Sequence, residues 1–188
     1  MLSMGQEKVR RLAASLLAVV LLSGLGVKMT AQGHTDALSD AEIEQLRDTN
    51  REPNNRLLAF VKFLDERTTR IHDLTVKPRR PGREDDIHEA MEQFLSIADD
   101  LSDNLDDYDV RHLDVRKSLP KLQKAIDKWE ETLRLPPDDG TYNVSRKLAL
   151  ESIRDLREDT TRMIDSQKAW FLAHPPPKDT EGKPLPPS

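Results

Sequence analysis

The chain has 188 residues and no cysteine. Disulfides, thiolate metal centres, a lipid-modified cysteine anchor and covalently attached c-type haem are excluded on that ground alone. Glycine is also sparse. Beyond residue 31 it occurs only as Gly33, Gly82, Gly140 and Gly182, and none of these belongs to a phosphate-cradling loop. A Gly-x-Ser-x-Gly turn and a His-Glu-x-x-His helix are likewise missing, so the familiar hydrolase and zinc-protease signatures have no footing here. No stretch alternates apolar and polar residues for long enough to make a sheet. After the first 31 residues, no run is long and apolar enough to span a membrane, which takes about 20 residues.

What is present starts with the N-terminus. Lys8, Arg10 and Arg11 precede the apolar stretch "LAASLLAVVLLSGLGV", residues 12–27. That stretch is short for a membrane span, and Ala31 offers a cleavage point despite the bulky Met29. Residues 1–31 are therefore expected to be a secretory signal peptide, with an uncleaved N-terminal anchor as the alternative. The expected location is periplasmic or extracellular. The net charge is −5, and residues 1–31 carry +3 of it, which leaves −8 on the mature chain. A general nucleic-acid binder would be basic, so nucleic acid is not an expected partner. Residues 32–38 are expected to form a flexible lead. Residues 175–188 carry six prolines and little apolar content, and are expected to be a disordered tail.

Between these lies an all-α region, residues 39–174. "SDAE" offers Ser39 and Glu42 as a reciprocal helix cap. The apolar positions Ile43, Leu46, Leu57, Phe60, Leu64, Ile71 and Leu74 keep a heptad-like rhythm through Pro53, which predicts one helix kinked at the proline. Glu84, Asp85 and Asp86 open a second helix at its positive dipole end. Its face runs Ile87, Met91, Phe94, Ala98, Leu101, Leu105 and Tyr108, and the rhythm continues through Val115, Leu119, Leu122, Ile126, Trp129 and Leu133. Ala149, Ile153, Leu156, Met163 and Trp170 mark a last helix that stops at Pro175. Segments 53–75, 84–107, 113–135 and 142–166 have similar lengths, which predicts an up-and-down four-helix bundle with a turn at residues 107–113. The alternative is a three-helix arrangement with one long helix over residues 84–135.

The charge pattern supplies the candidate sites. From Glu84 to Asp109 there are eleven acids and no lysine or arginine, whereas residues 110–135 hold seven bases against four acids. An acidic helix packed beside a basic one is the simplest expectation. Asp99, Asp103 and Asp106 share a helical stripe that could hold a cation, although the loop of a calcium hand is missing. His88 and His112 each follow an aspartate by three residues, a spacing similar to the Glu-x-x-His pairs of di-iron bundles but with the wrong acid. Asp99, Asp103, Asp106, His88 and His112 are accordingly the metal candidates, and His72 and Met163 could serve a haem. "KPRRPGR" places Lys77, Arg79, Arg80 and Arg83 on a loop that either binds an anionic envelope component or answers neighbouring helix ends. Trp170, Phe171 and His174 either anchor a partner or close the core. The expectation for function is an exported, non-enzymatic helical bundle of the bacterial cell envelope that binds a protein or envelope polymer. A metal- or haem-binding bundle is the alternative, and no cofactor is expected on the leading reading.

Overall fold

The computed structural model describes residues 37–175. The expected signal segment 1–31, residues 32–36 of the lead and the tail after Pro175 lie outside the described residues. Among the described residues every regular element is a helix: α1 Asp40–Asp48, α2 Pro53–Val76, α3 Arg83–Val110, α4 Leu119–Leu133 and α5 Asn143–Ala173. None of these helices is long and apolar enough to cross a membrane.

The fold is an all-α bundle whose neighbours do not follow chain order. α2 packs on α3 and α4, and α5 also packs on α3 and α4, while α1 touches α2 alone. The consecutive pair α3 and α4 therefore stands on a diagonal. Cross-helix bonds fix the directions. Asn54 meets Ser118, and Asp65 meets Trp129, so α2 and α4 run parallel. His88 meets Ser145 and Asp109 meets Ser166, so α3 and α5 run parallel as well. Arg56 with Asn104, and Arg70 with Glu89, make α2 and α3 antiparallel.

The core is the predicted apolar face. Leu57, Phe60, Leu64 and Ile71 of α2 face Ile87, Met91, Phe94, Leu101 and Leu105 of α3, with Leu122, Ile126, Trp129, Ile153 and Leu156 on the other side. Trp129 is fully buried and its indole N–H donates to Asp65 Oδ1 at 2.7 Å, so its one polar group is satisfied. Phe94 meets Trp129 edge-on at 5.9 Å between ring centroids. That contact reaches across the diagonal and places Phe94 and Trp129 at one level of the bundle.

Three sequence expectations change. The helix expected to kink at Pro53 is two helices, with residues 49–52 between them. Proline at the first helical position has no amide to lose, and it drives Glu52 out of helical backbone (φ −124°, ψ 81°). The lengths are also unmatched, with 15 residues in α4 and 31 in α5. Pro120 sets the short start, because a helix running from residue 113 would place it in the interior and lose a bond to the preceding turn. The break between α3 and α4 exists but sits at residues 111–118, later than the predicted 107–113. A continuous helix over residues 84–135 is thus excluded.

Candidate functional site

The α3–α4 connection crosses the end of the bundle on its diagonal, and its geometry is closely specified. α3 ends in a left-handed turn at His112 (φ 51°). The His112 N–H donates to Asp109 O at 3.1 Å and the Leu113 N–H to Tyr108 O at 2.9 Å, the two bonds of a Schellman cap. Glycine usually takes this position, because a Cβ is disfavoured there.

Two side chains then hold the crossing. Gln167 of α5, 3% exposed, accepts from the Val115 N–H at 3.1 Å and donates to Leu113 O at 2.7 Å. Asn54 of α2 donates to Asp114 O at 2.6 Å and accepts from both the N–H and the hydroxyl of Ser118. With both amides satisfied, Val115 is buried without being helical.

Aromatic and basic groups gather at this same end. The His112 ring stacks on Trp170 at 3.6 Å between centroids, and His174 stacks on Trp170 at 3.9 Å. The Arg116 guanidinium lies over Phe171 at 4.1 Å. Arg116 also binds Asp114 through Nε and Nη2, and those hydrogen bonds hold the Asp114 carboxyl below its usual range. Leu172 is 83% exposed and Val110, in the last turn of α3, is 79% exposed. The sequence presented Trp170, Phe171 and His174 as either anchor or core. Trp170 is half-buried, and its two stacked rings, His112 and His174, are exposed.

The metal candidates are scattered. Asp99, Asp103 and Asp106 are exposed along α3, and the His112 ring lies on Trp170 at the end of the bundle. His88 is half-buried against α5, where its Nδ1 lies 2.9 Å from Ser145 Oγ, while the same hydroxyl donates to Glu92. This His88–Ser145–Glu92 group was missed from the sequence, since Ser145 lies 57 residues from His88 and nothing in either local pattern points to the other. Among the described residues no three His, Asp or Glu side chains converge to hold a metal ion. His72 is exposed and Met163 is buried in the core.

The basic loop answers neighbouring acids. Arg79 and Arg83 both reach Glu84, Arg80 reaches Asp86, and Lys77 reaches Asp73. The pairing of an acidic α3 with a basic α4, in contrast, is overturned. The two helices are diagonal, so the acids of α3 and the bases of α4 point away from each other. Asp99, Asp103 and Asp106 make no ion pair among the described residues. Asp100, crowded by its desolvated setting and by Asp103 and Asp99, has its carboxyl pushed above the usual range. Comparison with protein families, with curated proteins and with solved structures finds no match to this chain.

Proposed function

We propose that the protein is an exported, non-enzymatic helical bundle of the bacterial cell envelope that binds a protein partner through the end of the bundle built on Trp170. One observation carries this reading. Trp170, Phe171, Arg116 and two imidazoles share one end beside the exposed side chain of Leu172. Tryptophan, aromatic and arginine side chains are the types that dominate binding energy at protein interfaces. The loop beneath them is held by Gln167 and Asn54, so the rings start from a fixed arrangement and little ordering is left for binding to impose. Export rests on the charged and apolar pattern of residues 1–31.

The test is a photo-crosslinking residue placed at Leu172 in living cells, with Thr69 on the outer face of α2 as the comparison site. The proposal expects a discrete envelope protein joined at residue 172, absent at residue 69, and lost when Trp170→Ala is added. Equal crosslinking at both sites, or none at residue 172, overturns it. Intact mass supplies the second arm. Mature protein beginning near Gln32 outside the cytoplasm supports export, whereas a mass of Met1–Ser188 in a membrane fraction supports an anchor.

A further inference from the structure

The diagonal arrangement leaves a basic face with little answer among the described residues. Lys121, Lys124 and Lys128 stand at spacings of three and four on the solvent side of α4, opposite the buried Leu122, Ile126 and Trp129. Lys121 and Lys124 have no ion pair among the described residues. Lys128 reaches only to 3.9 Å of Asp65, and both of those side chains are exposed by more than a third. On the opposite corner, Asp99, Asp103 and Asp106 stand at spacings of four and three.

Read in antiparallel sense, the two stripes match residue for residue: Asp99 with Lys128, Asp103 with Lys124, Asp106 with Lys121. Both have steps of about 6 and about 4.5 Å along the helix. α3 and α4 already run antiparallel, and Phe94 and Trp129 meet at one level. A second copy displaced sideways along the diagonal, with about one turn (~5.4 Å) of slide, would bring α4 of one copy against α3 of the next with all three pairs aligned. No rotation is needed. Because the stripes lie on opposite corners, the contact is head-to-tail and leaves a free stripe at each end, so it propagates instead of closing as a dimer.

We propose that the basic face of α4 docks on the acidic face of α3 in a second copy of this chain, forming open, salt-sensitive arrays. The occupant is argued from the complementary sign, the matched spacing and the shared level. Exposed ion pairs are individually weak, so assembly requires high local concentration and low screening. The inference is independent of the partner proposed for the Trp170 end, since neither stripe belongs to it.

Sedimentation equilibrium of the full chain tests the proposal, at about 0.01 M ionic strength, where the screening length is about 30 Å, and at about 1 M, where it is about 3 Å. Two variants are compared with the parent: Asp99→Asn/Asp103→Asn/Asp106→Asn, and Lys121→Gln/Lys124→Gln/Lys128→Gln. The parent should exceed dimer mass progressively with concentration at low salt and fall to monomer at high salt. Each variant alone should stay monomeric, and the two mixed should stop at a one-to-one pair, because each retains one stripe. Circular dichroism checks that both remain helical. A parent that is monomeric at low salt, a variant that associates as the parent does, or a mixture that shows no heteropair overturns the proposal. An association surviving 1 M salt overturns it equally.

Discussion

Removing the charge of Glu42 should undock α1 while leaving the rest of the bundle folded. α1 has nine residues, too few for a stable helix on its own, and Leu46 is its one buried side chain. Its attachment therefore rests heavily on Arg67 of α2. The Arg67 guanidinium donates to both oxygens of Glu42, at 2.6 and 2.9 Å, and to Ala37 O at 2.6 Å. The same carboxylate accepts from the Ser39 N–H at 2.7 Å, closing the predicted capping box. Both side chains of the ion pair are nearly buried, at 13% and 12% exposed. Hydrogen bonding by Arg67, opposed by desolvation and helped by Ser39, lowers the Glu42 carboxyl from 4.5 to about 2. At 1.36 kcal/mol per unit, that difference sets an upper limit of about 3 kcal/mol on the stabilisation the ionised form contributes. Because the folded value is depressed, this contribution is complete above about pH 4.5 and is lost as pH falls towards 2. Glu42→Gln should remove most of it above about pH 4.5 and leave little pH dependence below. Hydrogen exchange over residues 42–48 at neutral pH is the assay, and the variant should lose protection by about 30- to 160-fold, the equivalent of about 2–3 kcal/mol. Equal protection in parent and variant, or a parent whose α1 protection is flat between pH 4.5 and 2 after correction for intrinsic exchange, would refute the reasoning.

The crossing loop should respond sharply to Gln167→Ala, which leaves the Val115 N–H and Leu113 C=O without partners. A loss of about 2–4 kcal/mol in urea unfolding is expected, against under 1 kcal/mol for an exposed control such as Lys168→Ala. Thr160 is fully buried with no hydrogen-bond partner for its hydroxyl, so Thr160→Val should raise the melting temperature, by about 1 kcal/mol in stability terms. His112→Val should destabilise by more than about 1 kcal/mol, because a β-branched residue is strained at φ 51°. His112→Gly should stay close to the parent, since relief of that strain offsets loss of the Trp170 stack, and thermal unfolding compares them directly.

The helical repeat exposed the core because burial has a period that survives every local accident: nearly every apolar position named from the sequence is buried. The breaks were harder. Periodicity runs unbroken from Tyr108 through Val115 to Leu119 even though residues 111–118 leave the helix, because Gln167 and Asn54 hold Val115 inward from elsewhere in the sequence. Pro53 and Pro120 were the local signals, and both act as helix starts. Partner choice was not legible at all. An acidic segment next to a basic one in sequence suggests that they pair, but exposed charges contribute too little to decide neighbours against the packing of Trp129, Phe94 and Phe60. The ring stack escaped for the same reason as the His88–Ser145–Glu92 group. His112 lies more than fifty residues from Trp170, and stacking leaves no local pattern to read.

The diagonal crossing divides the molecule in a way that its helix count hides. α2 with α3, and α4 with α5, are each an antiparallel hairpin, and the two hairpins lie side by side in the same orientation. A sideways shift, not a rotation, carries one onto the other, so the chain is two like-oriented hairpins tethered by residues 111–118. The tether is held once from each half, by Asn54 and by Gln167. While both amides hold, the hairpins of one chain find each other. If either lets go, the first hairpin of one molecule can fold against the second hairpin of another without changing a single core contact, and the two clamping amides become what separates monomer from exchanged dimer.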